Sequence, residues 1–251
     1  MQAYGRAFSR VYNTKWAGFA GQVAPLILDF YASTPTGKAN EAVLDLCCGA
    51  GHLAVHFLEN GYSVVGLDLS ESMLEYAREN TGRFSESGQA RFVKADAGDF
   101  TLTERFGLVV STYDSLNHLE SEQTLISCFK CVREVSSGYF IFDINTRKGL
   151  RSWNNTRIDD SSEDALIINR GFFDGQGDRA LMRITGFVRL PDGCYERFEE
   201  IIYNTVFELK RVRAALLDVG WKKVYFAGIR DLSTPLTEPE EESRVFVVAR
   251  V

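Results

Sequence analysis

The chain is predicted to adopt an α/β fold: a doubly wound, mostly parallel sheet of seven strands, with an antiparallel β insert after strand five. Three observations lead there. Between Glu41 and Asn145, short continuous apolar runs alternate with amphipathic helical patterns, as strands covered on both faces and their crossover helices require. Two glycines, Gly49 and Gly51, fall between the first such run and the helix after it. Beyond Asn145 the pattern changes to strand-like runs split by Asp-Gly-Gln-Gly and Pro-Asp-Gly, both hairpin-turn signals.

Taken in order, AVLDLCC (Ala42–Cys48) reads as a buried strand. GHLAVHFLEN (Gly51–Asn60) reads as a helix that stops at Gly61. SVVGLDL (Ser63–Leu69) is a second strand, and Ser70 caps the helix ESMLEYARENT, with Glu71 in its first turn. ARFVKAD (Ala90–Asp96), FGLVVST (Phe106–Thr112) and GYFIFDI (Gly138–Ile144) are strands three to five, with a helix over Glu122–Val135 before the last. Ala165–Phe207 reads as a small antiparallel meander. VFELKRVRAALLDVG returns to helix and ends at Gly220, and KVYFAGI and RVFVVARV finish the main sheet as an edge hairpin. The expected division is a helical, aromatic lid over 1–36, a Rossmann-like core over 37–146, a β cap over 147–206, and completion of the core over 207–251.

Composition narrows the function classes. With 45% hydrophobic and 25% charged residues, the chain suits a folded globular protein. Its formal net charge of −6 disfavours nucleic acid and anionic lipid, which select basic patches. The amino-terminal stretch lacks a signal-peptide core, and no apolar run approaches the ~20 residues of a membrane span. Five cysteines, an odd number in a chain this long, read as reduced thiols, so a cytoplasmic location is expected. Cys128-x-x-Cys131 has no second pair, and His52 and His56, four apart on a helix, have no third ligand at fitting spacing, so no metal site is expected.

The segment VLDLCCGAGHLAVHFLENGYSVVGLDLSESML carries the binding chemistry. Glycines 49 and 51 permit positive φ and close approach of a ligand to the backbone. Open parallel sheets bind ligands at the carboxyl ends of their strands. Asp68, at the tip of strand two, can accept from both hydroxyls of a ribose. Gly49-x-Gly51-x-x-Ala54 also satisfies the dinucleotide fingerprint, which leaves an NAD-dependent oxidoreductase as an alternative. Charge separates the two. Asp45 precedes the glycines, where a carboxylate repels a pyrophosphate but suits a ligand bearing an ammonium and a sulfonium. Asp96, at the tip of strand three, can accept from an adenine amino group. Three acidic tips fit S-adenosylmethionine (SAM) better than NAD; the plain alternative is that they cap the following helices.

On these residues the sequence resembles the class I SAM-dependent methyltransferases. DLCCGAG is similar to their glycine-rich first motif, GLDLSESML to the ribose segment, KADAGDF to the third, and FGLVVSTYDSLNHL to strand four with its loop. The resemblance implies that Asp45, Gly49 and Gly51 flank the methionine part of SAM, that Asp68 and Leu69 flank the ribose, that Asp96 and Ala97 meet the adenine, and that Met73 also contacts the cofactor. Tyr113 would form a cleft wall beside the cofactor. Tyr-Asp-Ser-Leu-Asn-His-Leu, the β insert and the aromatic segment Tyr4…Tyr12…Trp16 further resemble small-molecule N-methyltransferases, among them amino-sugar N,N-dimethyltransferases. That likeness implies that Tyr4 and Tyr12 close over the cofactor, that Trp16 lines the acceptor side, and that His118 faces the acceptor. His118 is then the candidate base, or else only orients substrate. FDINTRKGLRSWNN makes Asn145, Arg147, Arg151 and Trp153 candidate acceptor contacts, or else a solvated connection.

The expected activity is methyl transfer to nitrogen or oxygen of a small-molecule acceptor. Two other readings stand beside it: an RNA or protein methyltransferase, against which the strand-four loop lacks an Asn-Pro-Pro-Tyr signature, and a SAM-binding module without turnover. The insert is a candidate lid, a homodimer contact, or both.

Overall fold

The computed structural model describes residues 4–162 and 164–251. The chain opens with helices α1 (Arg6–Lys15), α2 (Gly18–Ser33) and α3 (Pro35–Ala39). Then come β1 (Ala42–Leu46), α4 (His52–Glu59), β2 (Ser63–Asp68), α5 (Glu71–Thr81), α6 (Arg83–Glu86), β3 (Ala90–Lys94) and β4 (Phe106–Ser111). A 3₁₀ turn at Ser115–His118 leads into α7 (Glu122–Val135), β5 (Ser136–Asn145) and α8 (Arg147–Arg151). Four strands follow: β6 (Thr156–Ser162), β7 (Ala165–Phe172), β8 (Arg179–Arg189) and β9 (Tyr195–Thr205). The chain closes with α9 (Leu209–Val219), β10 (Lys223–Gly228), β11 (Asp231–Pro235) and β12 (Arg244–Arg250).

The main sheet runs β11-β10-β12-β5-β4-β1-β2-β3, and β1 to β5 are mutually parallel. Strand order reverses between β1 and β4, which opens a crevice at their carboxyl ends. Successive residues of a strand face opposite sides. Val43 joins one buried layer with α2 and α4, while Leu44 joins the other with α7 and α9. A third cluster lies off the sheet. There Phe8 and Val11 of α1 pack on Ala50, Met73, Ile167, Ile184 and Phe198, so the amino terminus bridges the core to the four-stranded sheet.

Three features differ from the sequence reading. The main sheet has eight strands, because β11 pairs outside β10 and the β10–β12 hairpin is therefore not its edge. The second sheet starts at Thr156, nine residues before the expected Ala165; TRIDDSS carries two aspartates, which strands disfavour, and no apolar run. The amino-terminal segment also divides in two. Helix α2 buries Val23, Ala24, Ile27 and Tyr31 against the sheet face, while α1 stands over the carboxyl edge, where Phe19 at the start of α2 also stacks on Tyr113.

Candidate active site

A cavity of about 370 Å³ opens between the carboxyl edge of the parallel sheet, α1 and the inner face of the second sheet. Its floor carries Cys47, Gly49, Asp68, Leu69, Ser70 and Met73. Tyr113, Asp114, Ser115 and His118 form one side, and Tyr4, Phe8, Tyr12 and Trp16 form the roof.

The floor is built by backbone conformations that ordinary residues avoid. Gly49 and Gly51 have φ of 52° and 75°. A side chain on Gly51 would meet the Cβ of Ala77 at 3.0 Å, so the turn needs glycine twice over. Cys47, Tyr113 and Asp114 also lie at φ of 59°, 66° and 49°. Left-handed residues without a glycine's freedom cost about 1–2 kcal/mol each, and all three stand where β1 and β4 end at the cavity.

Asp68 is placed by its own turn. Its two carboxylate oxygens accept from the N–H groups of Gly49 (2.9 Å) and Ser70 (2.8 Å). Burial raises its pKa, and those two N–H groups oppose the rise. Asp45 does not line the main cavity but a small adjoining one, with Tyr12, Trp16, His52 and Tyr113. It is 2% exposed, and its Oδ2 has no hydrogen-bond partner among the described residues. Burial, then the charge of Asp68, pushes its pKa up to about 8, against one backbone N–H from Ala54. An unpartnered buried carboxyl oxygen is costly.

His118 lines the cavity from the 3₁₀ turn, with the Tyr4 ring edge-on at 6.4 Å. Its Nδ1 lies 3.1 Å from the carbonyl oxygen of Tyr203. A carbonyl only accepts, so Nδ1 carries the proton and Nε2 keeps its lone pair. Burial lowers the imidazole pKa, with Asp114 and the Tyr203 carbonyl in opposition, so the ring is neutral near pH 7. Asn117 anchors the turn: its amide donates to the carbonyls of Asn145 and Thr205 (3.2 and 2.9 Å) and accepts from the Asn145 N–H (2.9 Å).

The expected site residues divide as follows. Tyr4, Tyr12, Trp16, Gly49, Asp68, Leu69, Met73, Tyr113, His118 and Trp153 all line the one cavity. Asp96 and Ala97 lie outside it: Asp96 Oδ1 accepts from the Gly98 N–H at 2.8 Å, and Ala97 is buried in the core. Asn145 is also outside, since its side chain donates to Asn204 Oδ1 at 3.1 Å within the buried junction of β5 and β9. Arg147 points away, donating to the carbonyls of Gly175, Gln176 and Gly177 and so fastening the β7–β8 turn. The expected contact at Arg151 also falls outside, beside Gly175 in that same turn.

The principal residue that sequence reading missed is Arg244. Its guanidinium pairs with Asp114 at 2.7 Å and with Asp143, and it lies over the rings of Phe19 and Tyr113 at 5.0 and 5.7 Å. Asp143 Oδ2 also accepts from the Asp114 N–H at 2.9 Å. The bundle fastens the left-handed pair Tyr113–Asp114. A signal existed: the last strand is antiparallel, so its first residue stands on the edge where parallel strands end, and Arg244 is in register with Asn145. The wall on the second sheet, Asn155, Arg157, Asn169, Met182, Ile184 and Ile202, was also missed, because which face of a meander turns inward depends on its docking. Among the described residues, no group of three His, Cys, Asp or Glu side chains is arranged to hold a metal. No described helix is long and apolar enough to cross a membrane.

Residues 43–136 match the family model of a methyltransferase domain. The Bacillus subtilis protein YqeM, named as a methyltransferase, is 29% identical over 184 residues, 72% of this chain and 73% of that protein. The dTDP-3-amino-3,4,6-trideoxy-alpha-D-glucopyranose N,N-dimethyltransferase of Streptomyces venezuelae is 31% identical over 110 residues, 44% of this chain and 41% of its own. An S-adenosylmethionine-dependent methyltransferase of Clostridium acetobutylicum shares the fold, with a TM-score of 0.79, 22% identity and 98% of each chain covered.

Proposed function

We propose that this chain is a SAM-dependent methyltransferase that methylates a nitrogen or oxygen of a small molecule held between the parallel-sheet core and the β cap; the methyltransferase-domain match over residues 43–136 and the likeness to YqeM support this. SAM supplies a methyl group already activated on a sulfonium, so alignment and exclusion of water are what the protein contributes. Asp45 would meet the ammonium of the methionine part, and Asp68 the ribose hydroxyls. The roof of Tyr4, Tyr12 and Trp16 excludes water and offers ring faces to positive charge. Leu69 and Met73 supply apolar contact. Asp96 and Ala97 stay in the reading as adenine contacts, on the motif alone. Asn145 and Arg147 serve the frame of the acceptor site, and of the expected acceptor contacts Trp153 and Trp16 are kept.

His118 Nε2 is assigned to take the proton that the acceptor loses on methylation. The observation that carries this is the Nδ1–carbonyl contact to Tyr203 at 3.1 Å, which leaves the other nitrogen basic on a neutral ring inside the cavity. A cavity of about 370 Å³ roofed by Tyr4, Phe8, Tyr12 and Trp16 is of a size for small ligands. One relative, the Streptomyces venezuelae enzyme, is named as an amino-sugar N,N-dimethyltransferase, and others are named as ubiquinone biosynthesis O-methyltransferases. A soluble protein at work in the cytoplasm is consistent with this chemistry, and the cap is the surface proposed for any self-association.

The test is incubation with methyl-labelled SAM and a panel of small amines and phenols, reading labelled product and S-adenosylhomocysteine together. Turnover on at least one acceptor, falling about 10²–10⁴-fold in His118→Gln with unchanged SAM binding, supports the assignment. Turnover unaffected by that change removes His118 as the base.

A further inference from the structure

We propose that Arg157, flanked by Asn155 and Asn169, forms an oxyanion subsite on the cap wall of the cavity that receives a carboxylate or phosphate group of the methyl acceptor. The inference rests on the small-molecule reading above and names a chemical feature of its substrate. Arg157 lies on β6 directly opposite Asn169 of β7. Asn155 precedes it by two residues, and all three line the cavity. The Asn155 amide already gives one N–H to the Ser152 carbonyl at 2.6 Å; the Arg157 guanidinium, the Asn169 amide and the second N–H of Asn155 supply the donors and a fixed positive charge, the group that matches the paired oxygens of a carboxylate or phosphate.

The charge around this patch is what gives it direction. The carboxylate two residues along the same strand, Asp159, is held by Lys15 at 3.1 Å. Arg157 has no hydrogen-bond or ion-pair partner among the described residues. Elsewhere on the second sheet, Arg183 and Arg197 pair with Glu199 at 4.0 and 2.9 Å, and Arg170 and Arg179 lie over the rings of Phe172 and Tyr203. The second cation of the cavity wall, Arg244, is already matched by Asp114 and Asp143. The cavity is therefore polarised, with carboxylates on the core side and an unmatched cation on the cap side. Between them Trp153, Met182, Ile184 and Ile202 give an apolar stretch. An acceptor that fills it presents its nucleophile toward His118, rests a carbon frame on that stretch, and turns an anionic end to Arg157. A purely cationic amine would leave Arg157 unmatched and would be repelled by it.

The experiment uses the full chain saturated with S-adenosylhomocysteine and titrates it calorimetrically with acetate, succinate, inorganic phosphate and pyrophosphate, at constant ionic strength set with chloride. The wild type is compared with Arg157→Gln and Arg157→Lys. The expected result is saturable binding of at least one oxyanion, weakened about tenfold or more in Arg157→Gln and less in Arg157→Lys, which keeps the charge but loses the fork. Preference for the carboxylates assigns an acid acceptor, and preference for the phosphates a phosphorylated one. S-adenosylhomocysteine affinity, equal in all three proteins, shows that the variants are folded. Oxyanion binding that is absent in the wild type, or equal in Arg157→Gln, overturns the inference and leaves the methyltransferase reading untouched. Loss of S-adenosylhomocysteine binding in the wild type would overturn that reading instead.

Discussion

Replacing Arg244 by methionine tests the charge arrangement beneath the strand-four loop. The guanidinium stands between two carboxylates whose side chains are 10% and 0% exposed, Asp114 and Asp143. Methionine preserves the stem's bulk and removes the charge, so two buried carboxylates lose their counter-ion. Breaking a buried pair from one side costs about 3–5 kcal/mol. At roughly 2–4 °C per kcal/mol for a chain of this size, Tm should fall by roughly 6–20 °C at pH 8. Burial raises the pKa of Asp143, and Arg244 holds that rise in check; without the arginine it climbs further. A carboxyl whose folded-state pKa exceeds the unfolded value of about 3.9 favours the folded state less as pH rises from one value to the other. The deficit relative to wild type should therefore shrink as the pH is lowered from 8 to 5. Thermal unfolding followed by circular dichroism at both pH values is the assay. A fall of less than about 2 °C at pH 8, or a deficit that grows in acid, would refute the argument.

Two further outcomes follow from the turn after β1 and the carboxylate that precedes it. Gly51→Ala puts a side chain at a φ of 75° and 3.0 Å from Ala77, so it should cost about 2 kcal/mol or more and lower Tm by roughly 4–8 °C in the same assay. The Asp45 carboxyl, with its pKa pushed up to about 8, is largely protonated at pH 6 and must ionise to meet an ammonium. Affinity for S-adenosylhomocysteine, measured by calorimetry, should rise with pH toward 8, by up to about tenfold per unit, and the rise should vanish in Asp45→Asn; a slope equal in both proteins would count against the contact.

The parallel core was legible because its signals are local. Continuous apolar runs, Gly61 and Gly220 as helix stops, and Ser70 as a cap accepting from the Met73 N–H at 3.3 Å each act within a few residues. The floor residues were legible for the same reason, since Gly49 and Asp68 sit on adjacent strand ends. What escaped depends on distant partners. The charge of Arg244 is explained only by Asp114 and Asp143, 130 and 101 residues away. Arg147 reads as an acceptor contact until the carbonyls of the β7–β8 turn are found around it. Strand β6 forms from a polar sequence because β7 offers it a ladder, and β11 is only five residues long, too short for a periodic signal.

Selection of a sulfonium nucleoside over a pyrophosphate is assigned to two carboxylates at the strand ends, Asp68 on the cavity floor and Asp45 in the pocket adjoining it. Calorimetric titration of the wild type and Asp45→Asn with SAM and, separately, with NAD tests that selection most directly. The account predicts one SAM site per chain, weakened about tenfold or more by the substitution, and no saturable binding of NAD; loss of one charge-assisted contact of about 1.5–3 kcal/mol sets that factor. Saturable NAD binding with no SAM binding, or SAM binding indifferent to Asp45, would contradict it.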